Sequence, residues 1–145
     1  MEQFGTFILN NWILFLALVL ILAFLAMNLL KSRFLAFKEI KPVQVVELMN
    51  HNNAIVLDVR DDKDFAQGHI LNAINIPLGV IDSRVNELEQ YRSMPVIVSC
   101  RTGQQSARAG MMMQKQGFTD LYKLSGGMMA WQSANLPVVK DQTSE

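Results

Sequence analysis

Cysteine occurs once in this chain of 145 residues, at Cys100, and histidine twice, at His51 and His69. One thiol excludes an internal disulfide and any Cys-x-x-Cys pair, and with two histidines it is a poor basis for a zinc site, so neither a metal nor another cofactor is expected. An excess of charge of one sign is also missing, since thirteen basic side chains meet thirteen acidic ones. The balance is local as well as global in the larger part of the chain: residues 42–145 hold nine basic and eleven acidic residues. Without a basic face to neutralise a series of phosphates, a nucleic-acid partner is not expected. Neither an internal repeat nor a low-complexity tract is present.

What the chain does have is a long apolar run near its start. From Trp12 to Met27 no polar residue interrupts it, and the wider window 8–30 contains only Asn10, Asn11 and Asn28 as polar members. About 20 helical residues cross a hydrocarbon core of about 30 Å, so a transmembrane helix is expected over 8–30, in contact with lipid. A cleavable signal peptide fits less well, because Glu2 and no basic residue precede the run and no A-x-A-like site stands before Lys31. Residues 31–41 carry Lys31, Arg33, Lys38 and Lys41 against Glu39 alone and read as a basic juxtamembrane linker. Basic residues on that side place the N-terminus outside and the rest of the chain in the cytoplasm, at the inner membrane in a bacterial cell.

Residues 42–139 are enough for one globular domain, followed by a polar tail, 140–145, expected to fray. Short apolar runs without alternation, at Ile55–Val59, Ala73–Ile76, Val96–Ser99 and Asp120–Leu124, suit strands covered on both faces. They alternate with helical spacing at Val43–Asn50, Ser83–Gln90 and Ser106–Gln116, with Gly117 placed as a C-cap. The expected fold class is α/β, a doubly wound parallel sheet with helices on both faces.

Cys100 lies where the apolar run Val96-Ile97-Val98 gives way to Arg101-Thr102-Gly103-Gln104-Gln105-Ser106 and then a helix. A loop turning from a strand end into a helix N-terminus aims backbone N–H groups at its centre, and ligands in such sheets sit beyond the strand carboxyl ends. A sulfur held there can be a thiolate at neutral pH without a histidine partner. A lone cysteine is otherwise a small buried hydrophobe.

The surroundings decide between the two. Asp58-Val59-Arg60 after the strand Ile55-Val56-Leu57, then Asp64-Phe65, Gly68-His69-Ile70, Ala73-Ile74-Asn75-Ile76-Pro77, the Cys100 loop, Leu124-Ser125-Gly126-Gly127-Met128, Trp131 and Leu136-Pro137-Val138 follow one another in a fixed order. Over roughly 43–139 the chain thereby resembles a single-domain rhodanese, a sulfurtransferase. The resemblance implies that Cys100 is the catalytic nucleophile, taking sulfane sulfur from thiosulfate or a persulfide donor and passing it to a thiol acceptor or cyanide.

Within the loop, Arg101, Thr102, Gly103, Gln104, Gln105 and Ser106 are the candidate substrate-binding residues: backbone N–H groups for anions, Gly103 for the tight turn, Arg101 for the one fixed positive charge. The family often carries a basic or small hydroxyl residue at the last loop position, where this chain has Gln105. Asp58 and Arg60 are candidates for the mouth of the site, or for an ion pair that fixes the strand end. A phosphatase or arsenate reductase would need Cys-x5-Arg, but the sixth residue after Cys100 is Ser106. His69, in its Gly68-His69-Ile70 setting, is expected to be structural. The second function class is a non-catalytic, membrane-tethered binding module of the same fold that docks a membrane-protein partner.

Overall fold

The computed structural model describes the backbone of residues 11–34 and 37–141, and side chains at 11–27 and 37–141. The chain divides into two compact units, Met1–Ala36 and Phe37–Glu145.

Among its described residues the first unit holds one helix, α1, Trp12–Phe34. Its described side chains, which end at Met27, are apolar and mostly exposed, Trp12, Ile13, Leu14 and Phe24 among them. Among the described residues no helix is long and apolar enough to cross a membrane. The transmembrane helix expected over 8–30 is thus not a structural finding: residues 8–10 and the side chains of 28–30 lie outside the described set.

The second unit is a five-stranded sheet in the order β1-β5-β4-β2-β3, all parallel. Its strands are β1 (Lys38–Ile40), β2 (Ile55–Asp58), β3 (Ile74–Asn75), β4 (Val96–Ser99) and β5 (Leu121–Leu124). Between them run the helices α2 (Pro42–Asn52), α3 (Asp62–Gln67), α4 (Ile81–Arg84) and α5 (Gln104–Lys115), with α6 (Gly127–Ser133) after the last strand.

Successive residues of a strand point to opposite faces, so a strand sandwiched between helix layers is apolar throughout. β4 shows this directly. Val96, Val98 and the following Cys100 pack with Leu57, Val59, Leu88, Ala109, Met113 and Phe118, on the face covered by α4 and α5. Ile97 packs on the other face with Ile40, Val45, Val56, Leu124, Met128 and Trp131, under α2 and α6.

Three sequence expectations change. Residues 31–41 are not a linker throughout: Lys38–Ile40 forms the edge strand β1, in register with Tyr122–Leu124, and Ile40 is buried. Glu39 and its register partner Lys123 form an ion pair at 3.2 Å. Phe37 seats its ring against Gly110 of α5, where an added Cβ would approach it to 3.0 Å.

The helix expected at 83–90 is instead the α-helical turn α4 followed by a 3-10 helix, Val85–Tyr91. Spacing of three explains it. Val85 and Leu88 are buried, and Arg84–Glu87 and Arg92–Glu89 are ion pairs three apart, contacts that a three-residue turn aligns.

The tail is held at its start. Val139 and His69 exchange two backbone hydrogen bonds of 2.9 Å, and the Asp141 N–H donates to the Ala66 carbonyl. Of the expected frayed tail 140–145, residues 142–145 lie outside the described set. The other expected elements match observed ones to within a few residues at each end, and the short helices α3 and α6 are additional to them. Gly117 (φ +92°) ends α5 as anticipated, with Phe118 N–H donating to Met113 O and Gly117 N–H to Gln114 O.

Candidate active site

The strand order places β4 at the centre of the sheet, so its carboxyl end opens where the chain must turn into α5. Cys100 is the first residue past that end. The turn is completed at Gly103, whose φ of +93° favours glycine and where an added Cβ would lie 3.3 Å from the Gly126 amide nitrogen and 3.4 Å from the Leu124 carbonyl oxygen.

The turn brings donors to sulfur. Gly103 N–H donates to Cys100 Sγ at 3.0 Å, and Ser106 Oγ, in the first turn of α5, lies 3.4 Å from Sγ. Ser106 Oγ is also 3.1 Å from the Gly103 carbonyl. Its single proton has two acceptors, and a thiolate is the stronger. Burial is the largest influence on the thiol and opposes ionisation. The Ser106 hydroxyl and the backbone N–H groups of Ser106, Gly103 and Thr102 together outweigh it and hold the thiol below its ordinary pKa.

In front of the sulfur lies a cleft of about 310 Å³ lined by Arg60, Asp61, Asp64, Cys100, Arg101, Thr102, Gln104 and Gln105. Cys100 is 1% exposed. Of the loop residues expected to bind substrate, Thr102, Gln104 and Gln105 are exposed and face this cleft, whereas Gly103 and Ser106 are buried beside the sulfur. Arg101 is not folded over the loop centre. Its guanidinium, 67% exposed, donates to Asp64 Oδ2 at 3.1 Å and to Oδ1 at 3.3 Å.

The two candidates for the mouth separate. Arg60 lines the cleft, but Asp58 does not: it is 1% exposed and holds Arg60 from behind. Arg60 Nη2 donates to Asp58 Oδ2 at 2.6 Å, Nε donates to both carboxylate oxygens, and the Arg60 backbone N–H donates to Oδ1. Nη2 also donates to the Gly68 carbonyl at 2.8 Å. Asn75 Nδ2 ties the carbonyls of both residues. The pair thus fixes the turn after β2. His69 sits apart from the sulfur, its ring stacked on Phe65 with Nδ1 2.9 Å from the Phe65 carbonyl oxygen.

A match to the model of the rhodanese-like domain family covers residues 41–134. The chain belongs to that family. Among its relatives, an uncharacterized protein of Escherichia coli, YibN, is 31% identical over 141 residues, spanning 97% of this chain and 99% of that one. The thiosulfate sulfurtransferase GlpE of Ectopseudomonas mendocina is 36% identical over 109 residues, spanning 75% of this chain and 96% of the relative. Of solved structures, a rhodanese-related protein of Thermoplasma volcanium superposes with a TM-score of 0.64 at 29% identity, over 71% of this chain and 98% of that one.

Within this rhodanese-like site, three residues have roles that the sequence reading did not assign: Asp61, Asp64 and Gly127. Asp61 and Asp64 bring carboxylates to the cleft; Asp64 stood in the sequence only as part of the Asp64-Phe65 step of the resemblance, and Asp61 carried no signal beyond an ordinary polar helix start. Gly127 was visible as half of a Gly-Gly pair. Its place is behind the loop, where an added Cβ would overlap the Cys100 carbonyl oxygen and come within 2.7 Å of Arg101 C and O. Among the described residues no group of three or more His, Cys, Asp or Glu side chains is placed to hold a metal ion.

Proposed function

We propose that this rhodanese-like domain is a sulfurtransferase that carries sulfane sulfur on Cys100. The observation that supports it most is the convergence of Gly103 N–H and Ser106 Oγ on Cys100 Sγ at the floor of an open polar cleft. Such a pocket stabilises a thiolate, and then the persulfide anion that replaces it.

In the first half-reaction the Cys100 thiolate attacks the outer sulfur of the donor. A new S–S bond forms as the donor's own breaks, and the leaving group departs with the electron pair, as sulfite from thiosulfate or as a thiolate from a persulfide. In the second half-reaction an acceptor thiolate or cyanide attacks the outer sulfur of the Cys100 persulfide and expels the Cys100 thiolate, restoring the enzyme. Loop N–H groups, which donate but do not compete as nucleophiles, suit both anionic states.

The thiosulfate sulfurtransferase among the relatives supports the reaction class. Thr102, Gln104 and Gln105 then serve as neutral substrate contacts at the mouth, and the buried Gly103 and Ser106 as supports of the sulfur. The test is the intact mass of the protein after exposure to thiosulfate or a persulfide. Retention of one sulfur atom, absent in Cys100→Ala, is the expected result, and no mass gain in the intact protein would favour a binding module instead.

The apolar segment 8–30 carries a second part of the proposal, tethering to the inner membrane with the rhodanese-like domain in the cytoplasm. Its support is the uninterrupted apolar run Trp12–Met27 in the sequence and the basic residues Lys31, Arg33, Lys38 and Lys41 beyond that run. A tether confines encounters to the membrane plane, which favours membrane-protein partners as donors or acceptors. Thiol labelling of Cys100 in right-side-out and inverted vesicles tests the orientation. Labelling only from the outer side would reverse it.

A further inference from the structure

We infer that Asp64 is a specificity-determining residue of this site, which disfavours dianionic thiosulfate relative to monoanionic sulfur donors; the inference rests on the sulfurtransferase reading above. Asp64 lies on α3, a helix with no buried side chain, so nothing in the core requires a carboxylate there. Its carboxylate, 32% exposed, reaches the active loop and takes the guanidinium of Arg101. Arg60, the other cation of the cleft, is already committed to buried Asp58.

Both cations are therefore matched before a substrate arrives. Asp61 adds a further exposed carboxylate that no side chain among the described residues pairs. Once Cys100 ionises, the cleft holds more negative than positive charge, and a second charge on the donor is opposed rather than rewarded. The Arg101–Asp64 pair stands at a junction. A second cleft of about 380 Å³, lined also by Gln67, Gly68, Met129 and Gln132, shares Arg60, Asp64 and Arg101 with the first. A donor with a long organic substituent has polar room to extend past the pair, which thiosulfate cannot use.

The full chain in detergent serves for the test, with thiosulfate and methanethiosulfonate as donors. Both present the same terminal sulfur, with two negative charges in the first and one in the second. The quantity read is the ratio of kcat/KM for thiosulfate to kcat/KM for methanethiosulfonate, in the wild type, Asp64→Asn and Asp64→Glu. Asp64→Asn should raise the ratio by about two- to fivefold, the scale of an exposed charge pair. Asp64→Glu, which keeps the charge, should stay near the wild-type ratio, and added salt should shrink the gain of Asp64→Asn. An unchanged ratio in Asp64→Asn, or an equal rise in Asp64→Glu, overturns the assignment of Asp64 while leaving sulfur transfer in place. If no protein takes sulfur from either donor, the sulfurtransferase reading falls and the role of Asp64 falls with it.

Discussion

The backbone N–H of Met128 donates to the carbonyl oxygen of Cys100 at 2.8 Å, and the next amide, Met129, donates to Arg101 at 3.1 Å. The first turn of α6 thereby anchors the outward-facing carbonyls of the active loop, leaving its N–H groups to face the sulfur. This arrangement depends on Gly127, which has φ of +58° and no space for a Cβ.

Gly127→Ala should therefore damage the site from behind. The left-handed conformation alone costs about 1–2 kcal/mol for a residue with a Cβ, and overlap with the Cys100 carbonyl adds to that. The expected outcome is a loss of at least about 2 kcal/mol in urea unfolding, together with slower sulfur loading of Cys100. Full stability with normal loading would show that the α6 turn does not hold the loop.

Ser106 offers a test of the thiolate. Burial disfavours ionisation of Cys100, and the Ser106 hydroxyl is the largest of the influences that oppose burial. A lowered pKa means that the reactive thiolate is already populated at a lower pH than for an ordinary cysteine. Removing a donor takes support from the anion, so Ser106→Ala should move the pH profile of Cys100 alkylation toward higher pH. Circular dichroism checks that the fold survives the change at this buried position. A profile that stays in place would assign the ionisation to the backbone amides alone.

The Asp58–Arg60 pair should behave as structure. Both side chains are buried, at 1% and 8% exposure, so removing one leaves the other charged and unpaired in the interior. Arg60→Met is expected to cost about 3–5 kcal/mol, partly because the Gly68 carbonyl also loses its donor. Asp58→Asn combined with Arg60→Met should be less destabilised than the two single losses added. Urea unfolding of the four proteins gives the coupling, and strict additivity would count against the pair.

Much of this site could be read in the order of residues because its determinants are local. The strand Val96–Ser99, Cys100 after it, the glycine of the turn and the serine in the next helix follow closely in sequence, so strand-loop-helix geometry follows from the sequence pattern. Long-range relations were not legible. Arg101 meets Asp64 across 37 positions, and nothing near Arg101 indicates that its charge is already taken. Strand β1 was hidden for a different reason. Its three residues, Lys38, Glu39 and Ile40, bury only the last, and edge pairing with β5 rather than hydrophobic periodicity makes them a strand. The 3-10 stretch at Val85–Tyr91 has apolar residues three apart, a spacing that an α-helix and a 3-10 helix both satisfy.

Gln105 is the position at which a charge can be added to the cleft without breaking an existing pair. It is exposed, lines the cleft with Cys100, and makes no side-chain hydrogen bond among the described residues, whereas Arg101 is held by Asp64. Gln105→Arg would bring a guanidinium to the donor with no carboxylate already bound to it. A charge-assisted hydrogen bond contributes roughly 1.5–3 kcal/mol. The kcat/KM for thiosulfate should accordingly rise by about tenfold or more, at 1.4 kcal/mol per factor of ten. Arg101→Gln should act in the opposite direction and more weakly, because it removes a cation that Asp64 already matches but leaves that carboxylate unpaired at the rim. Steady-state kinetics with thiosulfate on the three proteins decides the matter. Equal values would mean that loop amides alone hold the donor and that side-chain charge at the mouth does not set its binding.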